Sequence, residues 1–328
     1  MKPRAKIIIG LLLSILVLSL PFWAGVYWTH VAILSLYYVI VVSSWNLLVG
    51  YAGQMSFAHV SFSTMGGYAS TLVATRFGIH PALGMLIGMC VGAIVGYALG
   101  ILCLRMRGVY HSLATLAFAE AFRTVLNLEY KITRGSLGLL SVRLYPGVSK
   151  TPYYYTVLVL AIGGLVVLYR IINSPIGFTL QAIREDQTAA SVAGVPLARY
   201  KLFAFSLTSA MASLAGAFLA HYLGIVTPDW ATQTAMSFVL AMAIMGGLGT
   251  FIGPVIGAVC VEFLAEYLRV YGRYYMSIFG LVVLLMLRFT PGGLLALARN
   301  LTDSVSYTRW VSKGKQMLAT LQVRNKVE

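Results

Sequence analysis

Charged residues are scarce in this sequence: Asp, Glu, Lys and Arg make up only 10% of its 328 residues. Soluble globular chains carry about 25%, so the composition excludes an ordinary soluble enzyme. Residues 7–75 contain no Asp, Glu, Lys or Arg at all. The formal net charge is +15. Long uncharged runs separate the basic residues, however, which argues against the contiguous basic face of a nucleic-acid-binding protein.

Motifs for catalysis and cofactor binding are also missing. The chain has no G-x-x-x-x-G-K-[ST] phosphate loop, so we expect it not to hydrolyse ATP through this motif. Its three cysteines, Cys90, Cys103 and Cys260, lie in or beside apolar runs and form no C-x-x-C pair, a pattern typical of packing residues. The five histidines are scattered. We therefore predict no catalytic residues, no metal and no cofactor.

Apolar residues make up 59% of the chain. Because a membrane-spanning helix needs about 20 of them, the sequence predicts an all-α polytopic membrane protein with about ten transmembrane or re-entrant helices. Residues 7–27 lack a clear small-residue cleavage site, so we interpret them as a retained span. Whether residues 54–75 and 232–249 cross fully or re-enter stays open. The predicted segments are residues 7–27, 31–49, 54–75, 81–104, 109–127, 153–170, 202–224, 232–249, 251–268 and 274–290.

The distribution of basic residues predicts the orientation. With ten crossings both termini lie on the same side, and if that side is cytoplasmic its loops and tails carry about twice as many Lys and Arg residues as the outer loops, as the positive-inside rule requires. The basic loop at 128–152 goes against the rule locally. We predict a transmembrane domain at 1–298 and a basic cytoplasmic tail at 299–328.

Glycine-rich motifs predict internal symmetry and close helix packing. Met55-Ser56-Phe57 and Met65-Gly66-Gly67 recur with nearly the same spacing as Met236-Ser237-Phe238 and Met245-Gly246-Gly247. Such a recurrence favours an inverted internal repeat, although chance in a chain rich in Gly and Ala is the alternative. A glycine at every fourth position lets helix backbones approach closely. This ridge consists of Gly84, Gly88, Gly92, Gly96 and Gly100.

A polar stripe and an ion pair are candidates for a transport route. Ser56, His59, Ser63, Gly66 and Ser70 follow helical spacing, and this stripe suits either a polar route or a packing face. Glu120 and Arg123 are three residues apart and can pair, either beside the route or as a self-neutralised pair. The candidate route residues are Ser56, His59, Ser63, Gly66, Gly67, Glu120, Arg123, Gly246, Gly247 and Gly249.

The segment at 174–196, here called the 174–196 loop, is amphipathic and charged and contains Ile183-Arg184-Glu185-Asp186. This loop is similar to the EAA-type coupling loop of ABC importer permeases. Together with the order of the other motifs, it resembles the M-type permease subunit of the branched-chain amino acid ABC transporter family, over about residues 50–297. The other motifs are Gly50-Tyr51-Ala52-Gly53-Gln54-Met55-Ser56-Phe57-Ala58-His59, Thr115-Leu116-Ala117-Phe118-Ala119-Glu120, Met245-Gly246-Gly247-Leu248-Gly249-Thr250 and Pro291-Gly292-Gly293-Leu294.

The resemblance implies a permease for branched-chain or other small hydrophobic amino acids in the cell inner membrane. It implies two ABC ATPase subunits, a homologous second permease and an extracytoplasmic solute-binding protein as partners, within a lipid bilayer and without nucleic acid. The loop residues implied to couple to the ATPase are Arg184, Glu185, Asp186, Ala189, Ala190 and Gly194.

Two alternatives and two departures accompany the resemblance. One alternative is a permease of the same family that transports urea or short amides. The other, from a different functional class, is a secondary transporter that works without ATP. Few acidic residues occur in the spans, which leaves little for a proton relay. Gln187 replaces a frequent acid on the loop. Thr133-Arg134-Gly135 replaces a commoner Thr-Gly-Gly, which puts the identity of the substrate in question.

Overall fold

A computed structural model of the protein describes residues 16–106, 108–147, 149–289 and 293–295. Several predicted features lie outside the described residues. They are the basic tail at 299–328, the domain boundary at 298, the N-terminal basic residues and Arg107. The same holds for residues 7–15 of the first predicted span and for Pro291 and Gly292. Residues 16–23, at the end of that span, are helical.

The described chain is almost entirely helical, which confirms the all-α prediction. Two short strands, β1 at Leu139–Leu140 and β2 at Ile225–Val226, pair antiparallel. A turn of π-helix at Leu47–Tyr51 extends the first complete helix. The helices are α1 Gly25–Asn46, α2 His59–Phe77, α3 Pro81–Cys103, α4 Val109–Leu128, α5 Tyr130–Thr133, α6 Thr151–Ile172, α7 Pro175–Glu185, α8 Gln187–Val192, α9 Leu197–Leu223, α10 Gln233–Gly246, α11 Gly253–Leu268 and α12 Tyr275–Phe289.

Each predicted apolar segment from 31–49 onward corresponds to one of these helices. By length and hydropathy, four described helical segments suffice to cross a membrane, namely Gly25–Tyr51, Pro81–Cys103, Thr151–Ile172 and Leu197–Leu223. The first of them begins at Gly25, six residues before the predicted start. The chain breaks there because Gly25 has a φ of +67°, a conformation that glycine adopts without steric cost.

Helix α10 is shorter than the predicted segment at 232–249. Its 14 residues extend about 21 Å at 1.5 Å per residue, less than the hydrocarbon core of about 30 Å. The chain leaves the helix at Gly247, where φ is +115°, and begins α11 at Gly253. Helix α10 is therefore too short to cross the bilayer alone.

The two matched glycine-rich motifs occupy different positions relative to their helices. Met55-Ser56-Phe57 lies before α2, whereas Met236-Ser237-Phe238 lies within α10. Met65-Gly66-Gly67 lies inside α2, whereas Met245-Gly246-Gly247 lies at the end of α10, with Gly247 as the first residue after the helix. The inverted repeat therefore stays a prediction.

Contacts among loops show which loops lie at each end of the helical bundle. At one end, Thr71 donates a hydrogen bond to Ser141 Oγ at 3.0 Å, and Lys150 Nζ donates to the Val26 carbonyl at 3.3 Å. The pairing of β1 with β2 lies at the same end. The basic loop at 128–152 is thus fixed to the ends of α1, α2 and α9, while the 174–196 loop follows the far end of α6.

Helices α2, α3 and α9 pack through small residues. A Cβ at Gly88 would lie 2.7 Å from the Gly66 carbonyl oxygen, and one at Gly84 would lie 2.9 Å from Ser70 Oγ. Side chains at Gly92 and Gly96 would overlap Ser213 and Ser209 of α9. At four glycines of the α3 ridge, Gly84, Gly88, Gly92 and Gly96, a methyl group is therefore larger than the space between the helices. A Cβ at the fifth, Gly100, would lie 3.0 Å from Cδ2 of the flexible Leu202 side chain.

We expect Gly66→Ala to destabilise the protein. The added methyl group would overlap the backbone carbonyl of Ser213, and overpacking of a close-packed site costs about 1–3 kcal/mol. Gly163→Ala is the matched control, because a Cβ there meets no atom within 4 Å. Thermal unfolding of both variants in detergent measures the difference, and equal melting temperatures would contradict the packing described above.

Candidate functional site

Three motifs that are distant in the sequence meet at the end of the bundle that carries the 174–196 loop. Arg184 donates a hydrogen bond through Nη1 to the carbonyl oxygen of Gly50. A Cβ at Gly249 would lie 3.3 Å from the same Nη1 atom and 3.4 Å from the Gly50 oxygen. At Gly53, where φ is +68°, a Cβ would lie 2.9 Å from Arg184 Cγ. Glycine at these positions leaves the space that the arginine side chain occupies.

Asn46 joins the same site from the last turn of α1. Its Oδ1 accepts a hydrogen bond from the Gly249 amide at 2.9 Å, and its Nδ2 donates to the Thr250 carbonyl at 2.9 Å. Thr250 Oγ1 in turn accepts from the amide of Gly253, the first residue of α11, at 3.1 Å. One amide side chain therefore satisfies the irregular backbone between α10 and α11, as buried polar backbone requires.

The sequence patterns did not single out Asn46. The sequence does contain a hint of its importance, because Asn46 is a polar amide within the uncharged run of residues 7–75. A polar side chain in such a run needs a partner, but the partner lies about 200 positions away. We name Asn46, Gly50, Gly53, Arg184, Gly249 and Thr250 the Arg184 junction.

Helix α7 is anchored to the bundle by more than this arginine. Leu180 and Ile183 on its inner face are fully buried. A side chain at Gly177 would overlap the carbonyls of Ile171 and Ile172 at the end of α6. Phe178, on the same helix, is 65% exposed, and Val192 of α8 is 86% exposed. The 174–196 loop thus has a buried inner face and exposed apolar side chains.

The predicted coupling residues have different local roles in the structure. Glu185 is exposed and accepts a hydrogen bond from Arg184 Nε at 3.1 Å. Asp186 caps α8, because its Oδ1 accepts from the amides of Thr188 at 2.7 Å and Ala189 at 3.1 Å. Ala189 is exposed, whereas Ala190 is buried.

Gly194 lies after the end of α8 with a φ of +82°. The amide of the next residue, Val195, donates to the Ala190 carbonyl at 3.1 Å, which closes the helix. A left-handed glycine after the last turn is a common way to end a helix. Asp186 and Gly194 therefore fix the two ends of α8.

The non-helical segment before α2 is held by side chains of α1 and α4. Trp45 Nε1 donates to the Ser56 carbonyl at 2.8 Å. The Phe57 amide donates to Thr115 Oγ1 at 3.0 Å. Because irregular backbone at membrane depth has to be satisfied by protein or by water, these bonds fix the segment between the π-helical turn and α2.

The polar stripe of α2 lies at helix contacts. His59 Nε2 is 2.9 Å from Ser44 Oγ, Ser63 Oγ is 2.9 Å from Tyr37 Oη, and Ser70 Oγ is 2.7 Å from His221 Nε2. The first two partners belong to α1 and the third to α9. These residues are fully or almost fully buried, so the contacts favour the packing interpretation of the stripe over an open route.

The candidate glycines also lie at backbone contacts. A Cβ at Gly67 would lie 3.2 Å from the Gly216 carbonyl oxygen. A side chain at Gly246 would overlap the Gly253 carbonyl where α10 and α11 meet. The structure therefore places Gly66 and Gly67 between α2 and α9, and Gly246, Gly247 and Gly249 at the turn beside the Arg184 junction.

Glu120 and Arg123 lie apart from these residues, on the outer surface of α4. Arg123 Nε is 3.1 Å from Glu120 Oε2, and the two side chains are 43% (Glu120) and 35% (Arg123) exposed. The same helix leaves large apolar residues such as Leu113 and Val125 exposed. A charged pair in an apolar span is costly against lipid, so this face of α4 suits another protein chain or an aqueous route.

Arg134, which replaces the commoner glycine of the family pattern, lies in a tight turn. Arg134 has a φ of 60° and ends the short helix α5. Among the non-glycine residues that the structure describes, it alone has a positive φ. Glycine adopts this conformation more readily, so the arginine replaces the commoner glycine at a backbone position that disfavours side chains.

We expect Asn46→Leu to destabilise the protein. It leaves the partly buried Gly249 amide and Thr250 carbonyl without their partner, and an unsatisfied group that is buried costs about 1–3 kcal/mol. Ser43→Ala on the same helix is the control, because the Ser43 hydroxyl is buried without a hydrogen-bond partner. A lower thermal unfolding midpoint for Asn46→Leu alone is the expected result, and equal midpoints would refute the role given to Asn46.

Comparison with known proteins gives matches over most of the chain. Residues 27–289 match the family model described as "Branched-chain amino acid transport system / permease component". The chain is 28% identical to the high-affinity branched-chain amino acid transport system permease protein LivM of Escherichia coli K12, an alignment that covers 93% of this chain and 77% of that protein.

Two further relatives extend this similarity. The probable branched-chain amino acid transport permease protein LivM of Methanocaldococcus jannaschii is 23% identical, over 80% of this chain and 90% of that protein. The high-affinity permease protein LivH of Escherichia coli K12 is 25% identical, over 67% of this chain and 78% of that protein. No solved structure matches the chain.

Proposed function

The chain belongs to the branched-chain amino acid permease family, and from that premise we propose that it is a permease subunit of an ABC importer for branched-chain or other small hydrophobic amino acids. The observation that carries the proposal is the Arg184 junction. There the 174–196 loop contacts both the end of α1 and the turn between α10 and α11. ATP is hydrolysed on partner chains, and this subunit converts their movement into a change of helix positions.

The proposed assembly contains this chain, a homologous second permease, two ABC ATPase subunits and an extracytoplasmic solute-binding protein. The similarity to LivM over 93% of the chain and to LivH over 67% supports the M-type assignment and a second permease of the LivH type. The complex lies in the cell inner membrane with both termini of this chain in the cytoplasm. The 174–196 loop then faces the ATPases.

Coupling proceeds through the exposed and the buried faces of the 174–196 loop. Phe178 and Val192 are exposed and form the docking surface with Glu185, whose side chain is also open to solvent. Movement of the docked ATPase displaces α7, and Arg184 transmits that displacement to the Gly50 and Gly249 backbone. Asp186 and Gly194 contribute by holding α8 in a fixed shape at the docking surface.

The transport route lies between α4 of this chain and the second permease. Glu120 and Arg123 line it, because they are half-exposed on a helix face that the rest of the described chain leaves uncovered. The other candidate route residues, Ser56, His59, Ser63, Gly66, Gly67, Gly246, Gly247 and Gly249, set the positions of the helices behind it. Rocking of the helices opens the route to one side at a time.

Uptake by the reconstituted complex tests the proposed function. Proteoliposomes containing both permeases, the ATPases and the binding protein should accumulate labelled leucine with ATP inside, and should not do so with a non-hydrolysable analogue. Excess unlabelled isoleucine or valine should compete with leucine, whereas urea should not. Competition by urea alone would indicate the amide-transporting variant. Uptake by this chain alone, driven by an ion gradient, would contradict the ABC importer and support a secondary transporter.

A further inference from the structure

A cavity of about 390 Å³ lies between the 174–196 loop and the rest of the bundle. Gln187 at the start of α8 and Lys201 in α9 form one wall. The segment before α2 and the beginning of α4 form the opposite wall, through residues that include Gln54 and His111. This volume lies within the range of small-molecule sites, about 300–1,000 Å³.

Polar groups gather at the inner end of this cavity. Lys201 is 9% exposed, and its Nζ donates to Gln187 Oε1 at 2.8 Å. Gln54 and His111 are 6% and 7% exposed. Their atoms Gln54 Oε1 and His111 Nε2 are buried and have no hydrogen-bond partner among the described residues. Buried polar atoms without a partner are uncommon in folded proteins and call for an explanation.

A smaller pocket of about 10 Å³ adjoins this polar end and is lined by the same Gln54, His111 and Lys201 side chains. That volume is about enough for one water molecule, and an ammonium group is of similar size. The side chains that carry the unpartnered atoms Gln54 Oε1 and His111 Nε2 both line this pocket.

The remaining lining is mostly apolar, with Ser112 as a hydroxyl-bearing exception. Met55 and Phe57 belong to the segment before α2, Met106 follows α3, and Val109 begins α4. Methionine side chains adapt to ligands of irregular shape. Among the described residues, the cavity therefore combines one cationic side chain, two polar atoms without a hydrogen-bond partner and a mostly apolar wall. These groups complement the carboxylate, the ammonium group and the aliphatic side chain of a hydrophobic amino acid.

We propose that this cavity binds a small hydrophobic amino acid from the cytoplasm and thereby slows the transport cycle. This inference rests on the proposed function, which places the 174–196 loop in the cytoplasm. The ligand carboxylate binds Lys201, because charge-assisted hydrogen bonds to carboxylates are strong. The ammonium group donates to Gln54 Oε1 and His111 Nε2, and the aliphatic side chain packs against Met55 and Val109.

Inhibition follows from the two walls of the cavity. Gln187, on one wall, belongs to the 174–196 loop and accepts a hydrogen bond from Lys201, the residue that binds the ligand carboxylate. The other wall belongs to the segment before α2 and to α4. A ligand that contacts both walls stabilises the state in which they are close together, and it shifts the equilibrium by its difference in affinity between states. Accumulated amino acid in the cytoplasm would in this way reduce its own import.

Preloaded proteoliposomes test this inference in the complete complex. Labelled leucine uptake is compared between vesicles that contain ATP alone and vesicles that contain ATP with leucine, with leucinamide, which lacks the carboxylate, or with 4-methyl-2-oxopentanoate, which lacks the ammonium group. We expect internal leucine to slow the initial rate by about fivefold, a typical coupling between sites. Leucinamide and the oxo acid should have much weaker effects.

Variants separate this cavity from other leucine sites. Lys201→Met removes the cation, and Gln187→Glu places a carboxylate next to it, so both should abolish the slowing by internal leucine. Arg199→Met is the matched control, since Arg199 is exposed on the same helix, and it should be inhibited like the original protein. The ratio of the rates with and without internal leucine is compared within each variant, which removes differences in basal uptake.

The outcomes distinguish the inference from the proposed function. Absence of ATP-driven uptake in empty vesicles would overturn the proposed function itself. Normal uptake that internal leucine does not slow, or equal slowing in Gln187→Glu and in the original protein, would overturn the cavity as a regulatory site. Inhibition by the oxo acid as strong as that by leucine would overturn the assignment of the ammonium group.

Discussion

The hydrogen bond from Arg184 to the Gly50 carbonyl is the interaction on which the account of this permease depends. It connects the charged 174–196 loop to the end of α1, at a point where the turn after α10 also arrives. Glycine at 53 and 249 leaves room for the Arg184 side chain, and glycine at 50 leaves room for Asn46 and for the backbone of Gly249. Asn46 fixes the backbone of the turn after α10. In the proposed coupling, a force applied to the 174–196 loop reaches the end of α1 and the turn between α10 and α11 through Arg184, in addition to the buried contacts of α7 with the bundle.

Close packing behind this junction determines what such a force can do. Helices α2, α3 and α9 meet at glycine and serine, with backbones too close for an added methyl group at Gly66 or Gly92. A contact of this kind transmits displacement instead of absorbing it, because packed interiors have low compressibility. Helix α4 is different, since it buries few residues and carries the half-exposed Glu120–Arg123 pair, which suits a surface completed by another subunit.

Local patterns predicted the helices well, because an uncharged run of about 20 residues has few stable conformations in a membrane other than a helix. They left two questions open where tertiary contacts decide, namely the extent of the segment at 232–249 and the role of the polar stripe. Helix α10 ends early because Gly247 turns the chain towards Asn46, a residue some 200 positions away. The stripe at His59 and Ser63 fitted a route and a packing face equally well. The hydrogen bonds to Ser44 and Tyr37 on α1 favour the packing interpretation, and a role in the route stays a prediction.

The ratio of ATP hydrolysed to leucine transported, measured in the reconstituted complex with an Arg184→Met subunit, tests the central claim most directly. We expect hydrolysis to continue while uptake falls, so that the ratio rises. The control Arg170→Met, at an exposed arginine of α6, should keep the original ratio. An Arg184→Met complex that transports leucine at the original ratio would contradict coupling through this side chain.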